Sequence, residues 1–421
     1  MGTYFSGPTD GDGAAPFWNP AAMTLTSGTR TDMTLTLGYV RVDYDNPETV
    51  GSSKTALVAP QPFAGIVSDL GTENWRFGVS AGVPYVVGAR WDSNAPEAQV
   101  TRYFANDAYL VHAVATPAIA YQLSEVFRVG AGVNVTYSKL SADFDKDFAT
   151  VLNSSVGSDF GSGPFDAGDP NLAAPVELRS AGVGFGAVFG ASLELGPAHL
   201  GAAVHTPIET QASGTVVASY PDEMLQFVNT AAPTASLPPL AGNVDMTLTV
   251  PLAVFTAARF DLSPHWDLGF DYRLVDRSSH TSVGVLISDS TTEHLNDTSV
   301  VKGTRDRHSF GLRIRHRFSS GRGSAVLRGR YENNSITELN TTPNNVDFDK
   351  LELGAGLRWR LSQRTELTAV YTHFHVFDSQ IDASLHRPTT EPSLAPYNHP
   401  SPIGRYSAAA DKLSLSLGVS F

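Results

Sequence analysis

Hydrophobic and polar residues alternate strictly at the end of the chain. From Leu413 to Phe421 every odd position is leucine, valine or phenylalanine, and every even position is serine or glycine. A period of two predicts a β-strand, and an apolar face opposite a small polar face is typical of a strand between lipid and a watery lumen. The edge strand of a soluble sheet is expected to carry charges instead. Recurrence of the pattern elsewhere would predict a transmembrane β-barrel.

Fourteen segments of the chain show this alternation. They lie near 32–45, 58–69, 74–88, 109–123, 127–141, 179–195, 198–218, 243–261, 265–285, 298–318, 322–336, 346–362, 365–383 and 404–421. Each segment boundary is defined to within about 2–4 residues. The predicted fold is all-β: a transmembrane antiparallel β-barrel of 14 strands over residues 32–421.

The connections between these segments alternate in length. Tight turns such as Gly71-Thr72-Glu73 and Gly196-Pro197 are rich in glycine, serine and proline, whereas the longest joins cover about 142–178 and 219–242. Short periplasmic turns and long extracellular loops are the layout of an outer-membrane barrel, and an even strand number puts both termini on the periplasmic side. A soluble β-sandwich or propeller is the alternative, but it does not explain the alternating loop lengths.

Composition narrows the class of protein further. No run approaches the roughly 20 apolar residues of a membrane helix, and mean hydropathy is −0.10. The absence of cysteine excludes disulfides and thiolate metal sites. A formal charge of −13 argues against a nucleic-acid partner. The start of the chain shows no signal peptide, so we expect a mature, exported form with an added Met1.

Residues 1–31 precede the first predicted strand and lack its alternation. The segment contains Gly7-Pro8, the run 10–13 of alternating aspartate and glycine, and Asn19-Pro20. A barrel of 14 strands encloses a lumen too wide for its own side chains to fill. We therefore expect residues 1–31 to form an N-terminal hatch that plugs the lumen.

The hatch segment also carries a family resemblance. The run from Phe17 to Met23 resembles the Asn-Pro-Ala hatch motif of the long-chain fatty acid transporters, a family that includes aromatic-hydrocarbon uptake channels. Pro62-Phe63-Ala64-Gly65 and the run 116–121 are similar to that family as well, and the aromatic terminal residue resembles an outer-membrane assembly signal. Asn19, Pro20 and Ala21 are then the hatch residues.

The resemblance implies a location, partners and a mode of action. It implies a monomer in the bacterial outer membrane, surrounded by lipid and lipopolysaccharide. Its ligand would be a hydrophobic small molecule such as a fatty acid, a hydrocarbon or a detergent, taken up passively. The protein would be no enzyme and would need no cofactor or metal.

In that family a kink in the third strand opens the wall sideways. Here this strand is 74–88, and the lateral-gate candidates are Gly82, Pro84, Tyr85 and Gly88. Proline cannot donate to a ladder and glycine weakens pairing, so a local break is physically reasonable. The alternative is that Pro84 only ends the strand near its loop.

The two long loops hold the candidates for ligand capture, because exposed apolar surface usually marks binding. Those residues are Phe144, Phe148, Leu152 and Phe160 in the first loop and Met224, Leu225 and Phe227 in the second. The alternative is that they only pack the loops together as a lid.

Recognition of a carboxylate head group stays open at this point. The fatty-acid members of the family carry an arginine near the end of the fifth strand, where this chain reads Ser141-Ala142-Asp143. Lys139 and Lys146 are the nearest cations, and we take Lys139 as the candidate for the head group. Without a placed guanidinium the carboxylate has no bidentate partner, so a neutral hydrocarbon is an equal possibility.

Other functions and sites have weaker support in the sequence. A general diffusion porin would lack the hatch motif, and an adhesive barrel would use its loops to bind protein. A lipid hydrolase would need an adjacent serine and histidine, and the G-x-S-x-G run 78–82 lies within a strand rather than at a strand-to-helix turn. Asp143-x-Asp145-x-Asp147 and His373-x-His375 lack further ligands for a metal. The many luminal arginines either attract anions or form a paired lattice with the acidic residues.

Overall fold

A computed structural model describes most of the chain. The described residues are 7–47, 52–91, 100–149, 169–231, 240–280, 282–288, 298–386 and 401–421. Nineteen hydrogen-bonded segments form one closed antiparallel sheet, in which the first segment pairs with the last. Five pairs of segments continue one another across a short break. Both Ala198–His205 and Ile208–Ala218, for example, pair with the same neighbour. The wall therefore has 14 strands, as predicted.

The strands are numbered in chain order, with both parts given where a strand is interrupted. They are β1 (Thr29–Asp45), β2 (Ser52–Ser68), β3 (Trp75–Arg90), β4 (Asp107–Gln122), β5 (Phe127–Asp147), β6 (Ala173–Leu195), β7 (Ala198–His205 and Ile208–Ala218), β8 (Leu240–Val250 and Ala253–Asp261), β9 (Trp266–Val275 and Ser282–Ser288), β10 (Thr298–Val301 and Arg307–Arg317), β11 (Gly323–Glu332), β12 (Lys350–Arg360), β13 (Thr365–Val376 and Ser379–Ile381) and β14 (Gly404–Ser420).

Several strands run further toward the outer side than the alternation indicated. β5 continues to Asp147 and β6 begins at Ala173, so these two strands pair at both ends of the predicted loop 142–178, over residues 142–147 and 173–178. Phe144 consequently lies in the wall, opposite Val176, and not in a loop. The sequence concealed this extension because the outer ends of the strands no longer face lipid on one side and lose their two-residue pattern.

The outward face of the wall is apolar at the level of the membrane. Met33, Leu35 and Leu37 of β1 are exposed on this face. Aromatic rings border the short turns, and tyrosines lie toward the outer ends of the strands, as expected for two interfacial girdles. The exposed rings near the turns are Trp75, Phe127, Phe260, Trp266, Trp359 and Phe421, and the tyrosines are Tyr39, Tyr137, Tyr331 and Tyr371.

The helices within the described ranges are few and short. In the hatch, α1 (Ala15–Trp18) leads directly into a 3-10 helix (Pro20–Leu25), and each has proline in its first turn, where a missing N–H costs nothing. The outer loop between β7 and β8 contains α2 (Asp222–Ala231), which has two acidic residues in its first turn. Among the described residues, no helix is long and apolar enough to cross a membrane.

Candidate functional site

Asn19 fastens the hatch to the inward face of the wall. Its side chain is completely buried, and Nδ2 donates to the carbonyls of Pro8 (2.8 Å) and Ala191 (3.1 Å) and to Ser192 Oγ (3.0 Å). Oδ1 accepts from the backbone N–H of Ala21 and caps the 3-10 helix. One buried amide therefore joins two parts of the hatch to β6, and Pro20 and Ala21 lie in the helix that it caps.

Glycines in the wall let the hatch approach this closely. A Cβ at Gly190 would lie 2.0 Å from Asn19 Oδ1, and one at Gly130 would lie 2.5 Å from the nitrogen of Ala21. Such distances leave no room for a side chain. Gly65, Gly78 and Gly201 lie equally near hatch atoms. The small residues on the luminal side of these strands thus form the seat of the hatch.

An ion pair anchors the other end of the hatch. Asp10 Oδ2 accepts from Arg313 Nη1 at 3.0 Å, and Arg259 lies 3.8 Å from Oδ1. Burial opposes ionisation of Asp10, but the guanidinium groups of Arg313, Arg315 and Arg259 outweigh burial and lower the pKa of its carboxyl. The hatch is therefore held by a carboxylate at neutral pH.

The wall is incompletely paired between β2 and β3. Their ladder runs only from Ser68 opposite Phe77 to Phe63 opposite Gly82. Beyond it, among the described residues, β2 pairs only with β1 and β3 only with β4. The backbone N–H of Arg90 donates to Thr55 Oγ1 (3.0 Å) at the outer end. Residues 56–62 and 83–89 thus border an opening, here called the window.

The predicted gate residues lie along this window. The register of β3 against β4 shifts between Gly82 and Tyr85, so Pro84 sits in a bulge. Tyr85 is the first residue to pair again, and Gly88 lies near the outer end, where an added Cβ would be 3.3 Å from Leu57 Cδ2.

Two prolines on the other side of the window were not among the predicted gate residues. Pro60 and Pro62 lie in β2, pair only with β1 and have no N–H to offer β3. Their signal was visible, since prolines two residues apart within a predicted strand indicate an edge strand. Phe63, which follows them, closes the window on the periplasmic side.

A cavity of about 270 Å³ lies directly behind the window. Pro62, Val83, Pro84 and Tyr85 line it on the window side. The hatch residues Phe17 and Trp18 and the wall residues Phe63, Phe255 and Phe374 supply aromatic surface, and charged residues of β9 to β12 and β14 form the remaining side. This cavity is called the chamber below. An apolar lining with a few convergent polar groups is typical of a small-molecule site.

The luminal charges on β8 to β12 are largely paired. Asp271 accepts from Arg328 (2.8 Å) and Arg330 (3.0 Å), and Asp267 accepts from Arg315 (2.6 Å) and Arg317 (2.7 Å). Pairing of this kind agrees with a lattice that stiffens the wall, because an isolated buried charge is costly.

An apolar cluster lies inside the outer half of the barrel. Phe148 is 1% exposed and packs with inward-facing residues of β6 to β9, while Phe144 and Met224 pack on the edge of the cluster. The buried members from the wall are Ala174, Val176, Ala212, Val216, Ala218, Leu240, Val244, Met246, Leu248 and Val285. The two predicted capture loops thus share one cluster.

The remaining capture candidates lie elsewhere. Leu225 is 37% exposed on α2. The side chain of Phe227 and the residues Leu152 and Phe160 lie outside the part of the chain that the structure describes. The structure therefore brings three of the seven apolar candidates together.

Lys139 requires a correction. It lies on the outward face of β5, next to the exposed Tyr137, and its Nζ is 5.9 Å from the ring centre of Tyr109. The neighbouring Ser138 faces the lumen. Since successive residues of a strand point to opposite faces, a cation at this position cannot reach a luminal head group.

A family model described as "Outer membrane protein transport protein (OMPP1/FadL/TodX)" matches residues 2–402. The chain belongs to this family. Membership confirms the predicted family resemblance, places this OMPP1/FadL/TodX member in the bacterial outer membrane and confirms that it is a channel protein and not an enzyme.

Solved structures show the same fold as this family member. A FadL homologue from Pseudomonas aeruginosa has a TM-score of 0.80 at 19% identity, with 99% of this chain and 96% of that chain covered. The Pseudomonas putida toluene transporter TodX has a TM-score of 0.70 at 14% identity, with 100% and 95% covered. The Ralstonia pickettii toluene transporter TbuX has a TM-score of 0.64 at 16% identity, with 99% and 98% covered. No curated protein matches the sequence.

Proposed function

We propose that this OMPP1/FadL/TodX family member carries hydrophobic small molecules inward across the outer membrane and releases them sideways, through the window, into the bilayer. Family membership supports transport across the outer membrane. Toluene transporters and a monoaromatic hydrocarbon channel among the proteins of like fold support a hydrophobic cargo.

Capture begins in the outer half of the barrel. The apolar cluster around Phe148 faces the lumen, and the loop that carries α2 and Met224 packs on its edge. A ligand that enters between these loops exchanges water for apolar side chains, which yields roughly 25 cal/mol per Å² of apolar surface buried.

The hatch directs the ligand away from the axis of the barrel. Asn19 and Asp10 attach it to β6 and β10, and Phe17 and Trp18 form one side of the chamber. A straight route to the periplasm would have to displace these buried contacts, whereas the chamber already borders the window.

The missing β2–β3 pairing next to the chamber is the observation that carries the proposal. Backbone without ladder partners is tolerated at membrane depth only where it lines a cavity or is buried in protein. Pro60, Pro62 and Pro84 reduce the cost, because each removes one N–H that would otherwise lack an acceptor. The opening is thus bordered by residues that suit an unpaired wall.

Closing the window tests this route. We expect Gly82→Val combined with Pro84→Thr to restore regular pairing, to abolish uptake of a hydrophobic probe such as toluene or dodecanoate into whole cells, and to leave the barrel folded. Ala131→Val combined with Val135→Thr, on the continuous β5, is the matched control and should transport normally. Full uptake by the Gly82/Pro84 variant would refute lateral release and favour passage straight through the lumen.

A further inference from the structure

The outer loop between β11 and β12, residues 333–349, is fastened to the opposite side of the barrel and is called the strap here. β4 and β11 are opposite strands in the closed wall of 14, so the loop between β3 and β4 begins far from the strap. Asn344 Nδ2 of the strap nevertheless donates to the carbonyl of Phe104 in that loop (2.9 Å). Trp91 Nε1, at the start of the same loop, donates to the carbonyl of Pro343 (3.2 Å). The strap therefore crosses the mouth of the barrel.

A line of aromatic rings reinforces this crossing. Phe348 of the strap lies 6.3 Å from the ring of Tyr406 on β14, and Tyr406 stacks on Tyr44 of β1 at 4.4 Å. Tyr44 in turn lies 6.4 Å from Trp91. All four side chains are buried, and rings at such separations attract one another in addition to burying apolar area.

Two further outer segments hold the middle of the strap. The backbone N–H of Thr337 donates to the carbonyl of Gly303, in the break of β10 (3.0 Å), and that of Leu385 donates to the carbonyl of Leu339 (2.8 Å). Gly303 has a φ of +54°, and a Cβ at this position would lie 2.1 Å from Asn340 Nδ2. The strap thus packs directly on the backbone of its neighbour, where only glycine leaves room.

The strap lies on the outer side of the chamber. Arg307 lines the chamber, and its Nη2 donates to two strap residues, Ser335 Oγ (3.0 Å) and Asp347 Oδ2 (2.5 Å). Burial opposes ionisation of Asp347, but the charges of Arg307 and Lys350 outweigh burial and lower the pKa of its carboxyl. The hatch borders the chamber from the periplasmic side and the strap from the outer side, so the chamber cannot grow along the axis of the barrel while both stay in place.

We propose that the strap is a size filter, which closes the direct route from outside to the chamber against bulky, rigid hydrophobic molecules. This inference rests on the proposed function and names what the same route excludes. The chamber volume of about 270 Å³ lies just below the roughly 300–1,000 Å³ of most small-molecule sites. A single aromatic ring fits such a space, whereas a rigid molecule of four fused rings needs the strap to move. Moving it would break the ring contacts of Phe348 and the hydrogen bonds to Phe104 and Pro343.

Uptake of two neutral probes into whole cells tests the filter. Toluene and the steroid progesterone are both hydrophobic and uncharged, but they differ in size and rigidity. Replacing residues 338–345 by a short Gly-Ser linker removes the crossing and keeps Ser335, Asp347 and Phe348. We expect progesterone uptake to become about tenfold faster, because the chamber gains the space of an ordinary small-molecule site, and toluene uptake to stay almost unchanged. Single-channel conductance should equal that of the wild type, since the hatch keeps its contacts.

A milder variant and a matched control accompany the excision. Trp91→Phe combined with Asn344→Ala removes both hydrogen bonds across the mouth but keeps the ring, and it should raise progesterone uptake by a smaller factor. Thr230→Ala removes a hydrogen bond to the carbonyl of Gln226 within α2, in another outer loop, and should change neither probe. Migration of the unheated protein in electrophoresis shows whether each barrel is folded. If the excised barrel does not fold, the Trp91/Asn344 variant decides by the same measure.

Three results would overturn the filter. Unchanged progesterone uptake by the folded variants, with toluene uptake intact, would do so while the proposed function stands. A parallel loss of both probes would show that the strap is needed for transport itself. Faster progesterone uptake together with a rise in conductance would indicate a displaced hatch instead of an opened outer side.

Adding Gly82→Val and Pro84→Thr to the excision variant separates the filter from the window. A return of progesterone uptake to the wild-type level would support both, because the steroid would then leave through the window. Continued uptake of both probes would refute lateral release, whereas the faster entry of progesterone would still support the filter.

Discussion

Two parts of the barrel wall differ in how completely their strands pair. β5 and β6 pair without a break over 21 residues, from Phe127 opposite Leu193 to Asp147 opposite Ala173. β2 and β3, which are 17 and 16 residues long, pair over six. Length therefore does not decide pairing. The difference lies in three prolines and a bulge at the window. The β5–β6 wall, in contrast, contains no proline except Pro175 near its outer end.

The two parts also differ in what they hold. The β5–β6 wall is the seat of the hatch, since Gly130, Gly190 and the carbonyl of Ala191 meet the Asn19 turn. The β2–β3 wall faces the chamber instead. The same kind of strand thus builds a continuously paired side that holds the hatch and an incompletely paired side that borders a cavity. The sequence at a few positions makes the difference.

A proline placed in the continuous wall should have the largest effect. Val183 of β6 pairs with Tyr137 of β5 and with Gln211 of β7. We expect Val183→Pro to destabilise the barrel by several kcal/mol, because it leaves a ladder acceptor unpaired at membrane depth. Urea midpoints in lipid vesicles, compared with Val183→Thr, would measure this. If Val183→Pro is as stable as its threonine control, proline does not explain the difference between the walls.

Removing the charge of Asp10 should have the second largest effect, because it releases the hatch from the wall. Asp10→Asn leaves Arg313 and Arg259 without their carboxylate, a loss of about 3–5 kcal/mol for a broken buried pair. We expect a clear rise in single-channel conductance at neutral pH. Asp43→Asn, which removes an acid from an exposed pair on β1, is the control and should not change conductance.

The pH dependence of the Asp10 anchor follows from the sign of its shift. The pKa of Asp10 lies below its ordinary value of 3.8 in the folded protein. Its contribution is complete above pH 3.8 and is lost as the pH falls through the lower, folded pKa. Wild-type conductance should therefore rise toward that of Asp10→Asn only in strong acid, and a rise near pH 6 would contradict the assignment.

A methyl group at the seat of the hatch should have an intermediate effect. Gly190→Ala would place Cβ 2.0 Å from Asn19 Oδ1, whereas Gly284→Ala meets no atom within 4 Å. We expect the first variant to lose about 1–3 kcal/mol through overpacking and to increase protease access to the hatch, and the second to behave as wild type. Identical proteolysis of both variants would show that β6 is not the seat.

Truncations in the outer cluster should have the smallest effect, on binding alone. Phe148 is 1% exposed at the outer end of the continuous wall, whereas Leu225 is 37% exposed on α2. Phe148→Ser should weaken binding of a long-chain probe by roughly 1 kcal/mol, a fraction of the value of a fully buried side chain because Phe148 already packs on wall residues, and Leu225→Ser by less. An unaltered dissociation constant in both would indicate that these loops serve only as a lid.

Much of the architecture was readable from the sequence. Strict alternation at positions such as 413–421, with short turns between the segments, determined the strands and their number. Pro84 and the glycines around it indicated a break in β3, and Asn19-Pro20-Ala21 marked the hatch. These are local signals, because a period of two, a missing N–H and a turn each involve only residues near one another in the chain.

The extent of the window and the pairing of the luminal charges depended on the tertiary structure. Pro60 and Pro62 gain importance only because Pro84 lies across from them in space, and Asp271 is paired only because arginines of another strand reach it. Lys139 looked suitable in the sequence but faces outward, since a shift of one residue moves a side chain to the other face of a sheet. The sequence thus determined the strands and the hatch, whereas the choice of partners across the lumen was decided by closure of the barrel, which brings together residues hundreds of positions apart.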